Sequence, residues 1–136
     1  MHVFERKANY YETDKMGIVH HSNYIRWFEE ARLDMMDKLG LPYVKIEEAG
    51  ILIPVLGVSC EYKHPIRFGD TIVLELEIQN YTGTRFEVAY KGYSKETGLV
   101  SCTGVSRHCF TTEDLKPIRL QRHNAEWHAL FSAESK

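Results

Sequence analysis

Before Gly50 the apolar positions of this chain recur at helical spacing, and after Pro54 they alternate. Tyr24, Trp27, Phe28, Ala31, Met35 and Leu39 fall three or four residues apart. Residues at that spacing share one side of a helix, so they form a wide apolar stripe. Arg26, Glu29, Glu30, Asp34, Asp37 and Lys38 fill the opposite side. Ser22 or Asn23 is the expected N-cap, and Gly40 followed by Pro42 ends the helix near Leu39. Upstream, Val3 to Tyr11 reads as an extended segment with poor alternation. A short helical turn is expected over Tyr43 to Ala49, closed by Gly50.

The second half carries strand signals. Leu56, Val58, Cys60 and Tyr62 alternate with polar or small residues, which predicts a half-buried strand. Ile72, Leu74, Leu76 and Ile78 alternate with Glu75, Glu77 and Gln79, the clearest strand in the chain. Tyr81 to Thr84 reads as a turn, and Phe86, Val88 and Tyr90 begin the next strand. Lys95-Glu96-Thr97-Gly98 has the chemistry of a hairpin turn with a left-handed glycine. Leu99 to Phe110 supplies the last long strand, and Arg122 to Ser132 a short terminal helix. One long helix and a meander of antiparallel strands predict an α+β fold, as one domain over residues 1–136. An exposed edge strand must be covered, and pairing with a second copy of the chain would do so.

Composition narrows the function classes. Apolar residues make up 43% and charged residues 26%, ordinary for a globular protein. A net charge of −2 gives no reason to expect nucleic acid or an anionic membrane as a partner. No run approaches the roughly 18 apolar residues of a bilayer-spanning helix, so no membrane insertion is expected. The first residues lack the basic start and apolar stretch of a secretory signal, and a cytoplasmic location is the expectation. Cys60, Cys102 and Cys109 are an odd set without pairing motifs, as in a reducing compartment. His108 adjoins Cys109, but neighbouring strand residues point to opposite faces, which disfavours a thiol nucleophile. His20, His21, His64 and His108 show no metal-ligand spacing, and adjacent histidines in regular structure cannot share one site. No metal or cofactor is expected, and His123 and His128 read as part of a solvated face.

The chemistry concentrates between Tyr10 and Tyr24. Asp14 sits in a loop with Gly17, just before the start of the long helix. A helix start offers unpaired N–H groups and the positive end of a dipole, which stabilise a developing oxyanion. A carboxylate beside such a start has the parts needed to transfer an activated acyl group to water. The plain alternative for Asp14 is a side chain that merely organises a turn. Gly17 lets the loop bend so that Asp14 faces the helix end.

The stretch Asp14, Gly17-Ile18-Val19, His21, Asn23-Tyr24 and Trp27-Phe28 resembles the signature of hotdog-fold acyl-CoA thioesterases. The resemblance is to the 4-hydroxybenzoyl-CoA thioesterase type, including the thioesterases associated with the Tol–Pal system. Ile53-Pro54-Val55, Tyr62 and Pro65-Ile66-Arg67-Phe68-Gly69-Asp70 extend it from about Val3 to Leu120. It implies a long helix wrapped by a curved antiparallel sheet, in homodimers or homotetramers with sites at subunit interfaces. It also implies an acyl-CoA substrate. By the same resemblance Asp14 is the catalytic carboxylate, attacking the thioester or acting as general base on water. The backbone amide at His21 then polarises the thioester carbonyl, with a role for the ring left open. Tyr24 is the aromatic residue expected at the substrate, and Arg85 and Lys91 are candidates for the coenzyme A phosphates, with Lys116 and Arg119 behind them. Two other readings stay open: a hotdog hydratase or dehydratase on acyl thioesters, and a non-catalytic acyl-CoA sensor.

Overall fold

The computed structural model describes residues 1–136. Its strands are β1 (His2–Lys7), β2 (Val55–Tyr62), β3 (Thr71–Gln79), β4 (Arg85–Ser94) and β5 (Val100–Cys109). They form one antiparallel sheet in the order β1-β3-β4-β5-β2. Helices α1 (Ser22–Lys38) and α2 (Tyr43–Glu48) lie between β1 and β2 in the chain, while α3 (Leu120–His123) and α4 (Ala125–Glu134) end it. The α+β expectation therefore holds. No helix is long and apolar enough to cross a membrane.

Register explains the buried face of the sheet. Leu74, Leu76 and Ile78 pair with Gly92, Tyr90 and Val88, which in turn pair with Cys102, Gly104 and Ser106. Paired residues share a face, so the alternation of β3 continues across three strands. The stripe of α1 packs on it, with Trp27, Phe28, Ala31 and Met35 fully buried. Phe28 stacks on Tyr90 at 4.1 Å between centroids. Gly104 allows that approach: a Cβ there would lie 2.6 Å from the Phe28 ring and 2.6 Å from the Ser59 carbonyl oxygen. A second cluster, Tyr81, Phe86, Phe110 and Phe131, fastens α4 to the far end of the sheet.

Several local expectations change. The extended N-terminal segment stops at Lys7, and Tyr10–Glu12 coils into a single 3-10 turn, because the Glu12 side chain turns back to accept the Asn9 N–H at 2.8 Å. Neither Ser22 nor Asn23 caps α1 through its side chain. His20 Nδ1 accepts the Ser22 N–H at 3.2 Å instead. Strand β2 is not half-buried: it forms a sheet edge flanked only by β5, and Val55, Leu56, Val58 and Tyr62 remain exposed. His128 is not simply solvated, since its Nδ1 lies 2.7 Å from the Tyr81 hydroxyl.

Candidate active site

The loop carrying Asp14 is a narrow hairpin set against the start of α1. Thr13 bridges Val19, the Asp14 N–H donates to the Ile18 carbonyl at 2.9 Å, and the Gly17 N–H donates to the Asp14 carbonyl at 3.0 Å. Gly17 has φ +75°, a left-handed conformation that a side chain would strain. The Val19 N–H donates to the Ile66 carbonyl at 2.7 Å, tying the loop to the segment that follows β2. Asp14 is half-buried. Its Oδ1 accepts the Met16 N–H at 2.8 Å, so it does organise the turn, yet Oδ2 has no protein partner. One oxygen holds the loop and the other is available for chemistry.

Two buried polar residues fix the base of this loop. Glu12, only 3% exposed, accepts from Arg6 Nη1 and Nη2 at 3.1 Å each, from the Asn9 N–H at 2.8 Å and from Trp27 Nε1 at 2.8 Å. It joins β1, the 3-10 turn and α1 at a single carboxylate. Asn23 Nδ2 donates to the carbonyls of Glu12 at 3.0 Å and His20 at 3.2 Å, linking the two ends of the loop. Sequence reasoning missed Glu12, because nothing in an apolar period marks a charged residue as buried.

At the helix start the N–H of His21 has no acceptor in the protein, whereas its neighbours are paired. Ser22 bonds His20 Nδ1, Asn23 bonds the His20 carbonyl at 3.0 Å, and Tyr24 bonds the His21 carbonyl at 3.2 Å. An unpaired amide at the positive end of a 17-residue helix can donate to a negatively charged oxygen. The rings of His20 and His21 stack at 4.2 Å between centroids. Adjacent histidines thus do face one site, because they occupy a loop-to-helix junction and not a strand.

A cleft of about 610 Å³ opens between these parts, lined by Asp14, His20, His21, Tyr24, Tyr62 and His64 among others. That volume is in the range of small-molecule sites. Tyr24 is buried and meets Tyr62 edge-to-face at 5.2 Å. Burial pushes its phenol up to about 12, so Tyr24 offers a neutral donor and an aromatic wall. The Tyr62 hydroxyl reaches the His21 carbonyl at 3.4 Å.

The structure thus brings Asp14, on a loop that Gly17 shapes, together with His21 and Tyr24 at the start of α1. It does not bring Arg85 or Lys91 to them within one chain. Arg85 lines a separate cavity of about 320 Å³ with Pro54 and Leu56, and Lys91 another of about 180 Å³ beside Glu75 and Glu77. The cation at the Asp14 cleft is Lys63, whose Nζ lies 3.3 Å from Glu61. Lys63 and His64 carried no signal as cleft residues in the sequence, since they fall between Tyr62 and Pro65, outside the pieces that match.

Comparison with known proteins places the chain in a family. A family model described as the Thioesterase-like superfamily matches residues 9–127. A Bacillus subtilis protein named "Putative acyl-CoA thioesterase YneP" is 34% identical over the full length of both chains. The acyl-CoA thioester hydrolase YbgC of Escherichia coli O157:H7 is 26% identical over 85% of this chain and 87% of its own. Among solved structures, a DHNA-CoA thioesterase from Staphylococcus aureus superposes with a TM-score of 0.92 at 36% identity, covering 97% of this chain and 89% of that one. With a family model matched along most of its length and a relative aligned from end to end, this chain belongs to the Thioesterase-like superfamily.

Proposed function

We propose that this protein hydrolyses an acyl-CoA thioester to the free carboxylic acid and coenzyme A, as one hotdog thioesterase domain over residues 1–136. In this reading α1 is the helix that the curved sheet wraps. The observation that carries it is the pairing, in one cleft, of the free Asp14 oxygen with the unpaired His21 N–H. The amide holds the oxygen that becomes negative as the carbonyl carbon turns tetrahedral. Asp14 attacks that carbon or takes a proton from the water that does. A thiolate leaves readily, so the site needs no metal. Gly17 shapes the loop and Tyr24 walls the acyl group.

The working unit is a homodimer or a homotetramer, in the cytoplasm. The free edge of β2, with Val55, Val58 and Tyr62 exposed, favours antiparallel pairing with a second copy. Such pairing sets the Leu56 end of one β2 beside the Tyr62 end of the other. Arg85, which shares a cavity with Leu56, then approaches the partner's cleft and supplies charge for coenzyme A phosphates. Lys91, in register with Thr103 and hence in the row of Glu61, is the second phosphate candidate, on the outer face.

The test is thiol release from short, branched, long and aromatic acyl-CoA esters. Release from at least one class supports the reading and ranks the acyl groups. Hydration of an enoyl thioester without thiol release, or tight acyl-CoA binding without turnover, would sink it.

A further inference from the structure

Hydrolysis at this site has a proton to place that Asp14 alone does not place. One proton must leave the attacking water, and one must reach the departing sulfur. The cleft holds three histidines, and their hydrogen bonds distinguish them. His20 Nδ1 accepts the Ser22 N–H, so its lone pair is spent on the helix start. The His21 ring stacks on His20 and has no hydrogen bond of its own to fix its orientation. His64 differs from both. Its backbone N–H and its Nδ1 both meet the Val100 carbonyl oxygen, at 3.2 Å and 3.0 Å. A carbonyl oxygen only accepts, so Nδ1 carries the hydrogen and Nε2 is left to gain or lose a proton. The same bond holds the ring in place.

We propose that His64 is the proton carrier of this site, giving a proton from Nε2 to the thiolate sulfur as the carbon–sulfur bond breaks. The inference rests on the Asp14-dependent hydrolysis put forward above. The step balances by either route. If Asp14 is the general base, it takes one proton from water while protonated His64 gives one to sulfur. The proton on Asp14 then passes to His64 Nε2, and the product acid ionises to solvent. If Asp14 is the nucleophile, protonated His64 again gives its proton to sulfur. Neutral His64 then takes a proton from the water that opens the mixed anhydride, which restores both groups. An alkyl thiol near the ordinary cysteine value of about 8.5 gains from such a donor at neutral pH.

The experiment compares His64→Ala, His64→Asn and Asp14→Asn with the unaltered enzyme by thiol release. Asn keeps an N–H donor for the Val100 carbonyl but carries no proton, so it separates anchoring from proton transfer. Both His64 variants should lose about 10²-fold in kcat, the usual contribution of a general acid. The loss should shrink on thioesters of more acidic aryl thiols, and added imidazole should restore part of the His64→Ala rate. Near-normal kcat in either His64 variant, or a loss independent of the leaving thiol, would overturn the role of His64. If turnover survives in Asp14→Asn, the role given to Asp14 falls, an outcome separate from the His64 arms.

Discussion

Glu12→Gln should unsettle the Asp14 loop without touching the cleft. The Glu12 carboxylate receives four hydrogen bonds, and all four neighbours are donors: two guanidinium nitrogens of Arg6, the Asn9 N–H and Trp27 Nε1. Gln keeps one oxygen and sets an amide nitrogen against two of those donors. Two bonds are lost, each worth about 1.5–3 kcal/mol when the acceptor is charged. Arg6 keeps Glu30 as a partner at 3.1 Å, so its charge is not stranded and the lower part of the range applies. We expect a destabilisation of about 3–4 kcal/mol, a large share of the 5–15 kcal/mol by which a domain is usually stable. Urea unfolding reports it, followed by the fluorescence of buried Trp27 and by far-UV dichroism. With a slope of about 2 kcal/mol per molar, the midpoint should fall by nearly 2 M. Turnover should fall as well, because Glu12 anchors both the Asp14 hairpin and α1. A change under about 1 kcal/mol with unaltered turnover would refute this account of Glu12.

Other consequences are independent of the catalytic reading. Burial pulls His108 down to about 3, and its Nε2 lies 2.7 Å from Ser106 Oγ in a chain that continues to Tyr90 at 2.6 Å. An unfolded histidine titrates near 6.5, so between about pH 6.5 and 3 the unfolded chain binds a proton that the folded chain does not. Stability should therefore fall as pH falls through that window. The His108 share should be about 2 kcal/mol between pH 6.5 and 5, measured as the difference in urea midpoints between wild type and His108→Gln at each pH. Parallel profiles for the two proteins would contradict it. Gly104→Ala puts a Cβ 2.6 Å from both the Phe28 ring and the Ser59 carbonyl oxygen, and backbone yields little. Overpacking of this kind costs about 1–3 kcal/mol, seen as a Tm lower by several degrees in calorimetry; an unchanged Tm would mean that the α1–sheet contact is slacker than it looks.

What could be read from the sequence was what depends on local period. The stripe Tyr24-Trp27-Phe28-Ala31-Met35 marked α1, and the strict alternation of Ile72 to Ile78 marked β3, since each buries one face against the other. Gly98, with φ +74°, occupies the left-handed turn position that its sequence suggests. Asp14 stood out through the motif it heads, since a carboxylate ahead of a glycine also has an ordinary place in a turn, which its Oδ1 fills. What stayed hidden depends on partners far along the chain. Glu12 is buried only because Arg6 and Trp27 converge on it, and no spacing rule foretells that meeting. The alternation of β2 predicted burial, but alternation does not say whether an edge has a neighbour. Arg85 and Lys91 were singled out for charge alone, whereas a place at the cleft depends on which strand ends the fold gathers there, and in one chain these are the ends that carry Lys63 and His64.

The most direct measurement is kcat for thiol release by Asp14→Asn against the unaltered enzyme, with unfolding midpoints as the control for structure. Asn retains an oxygen for the Met16 N–H, so the hairpin should persist and the midpoints should agree within about 1 kcal/mol. The account predicts a loss of at least about 10²-fold in kcat in a folded protein that still binds acyl-CoA. Turnover within a few-fold of the unaltered enzyme would contradict it, and would assign the chemistry of this cleft to another group.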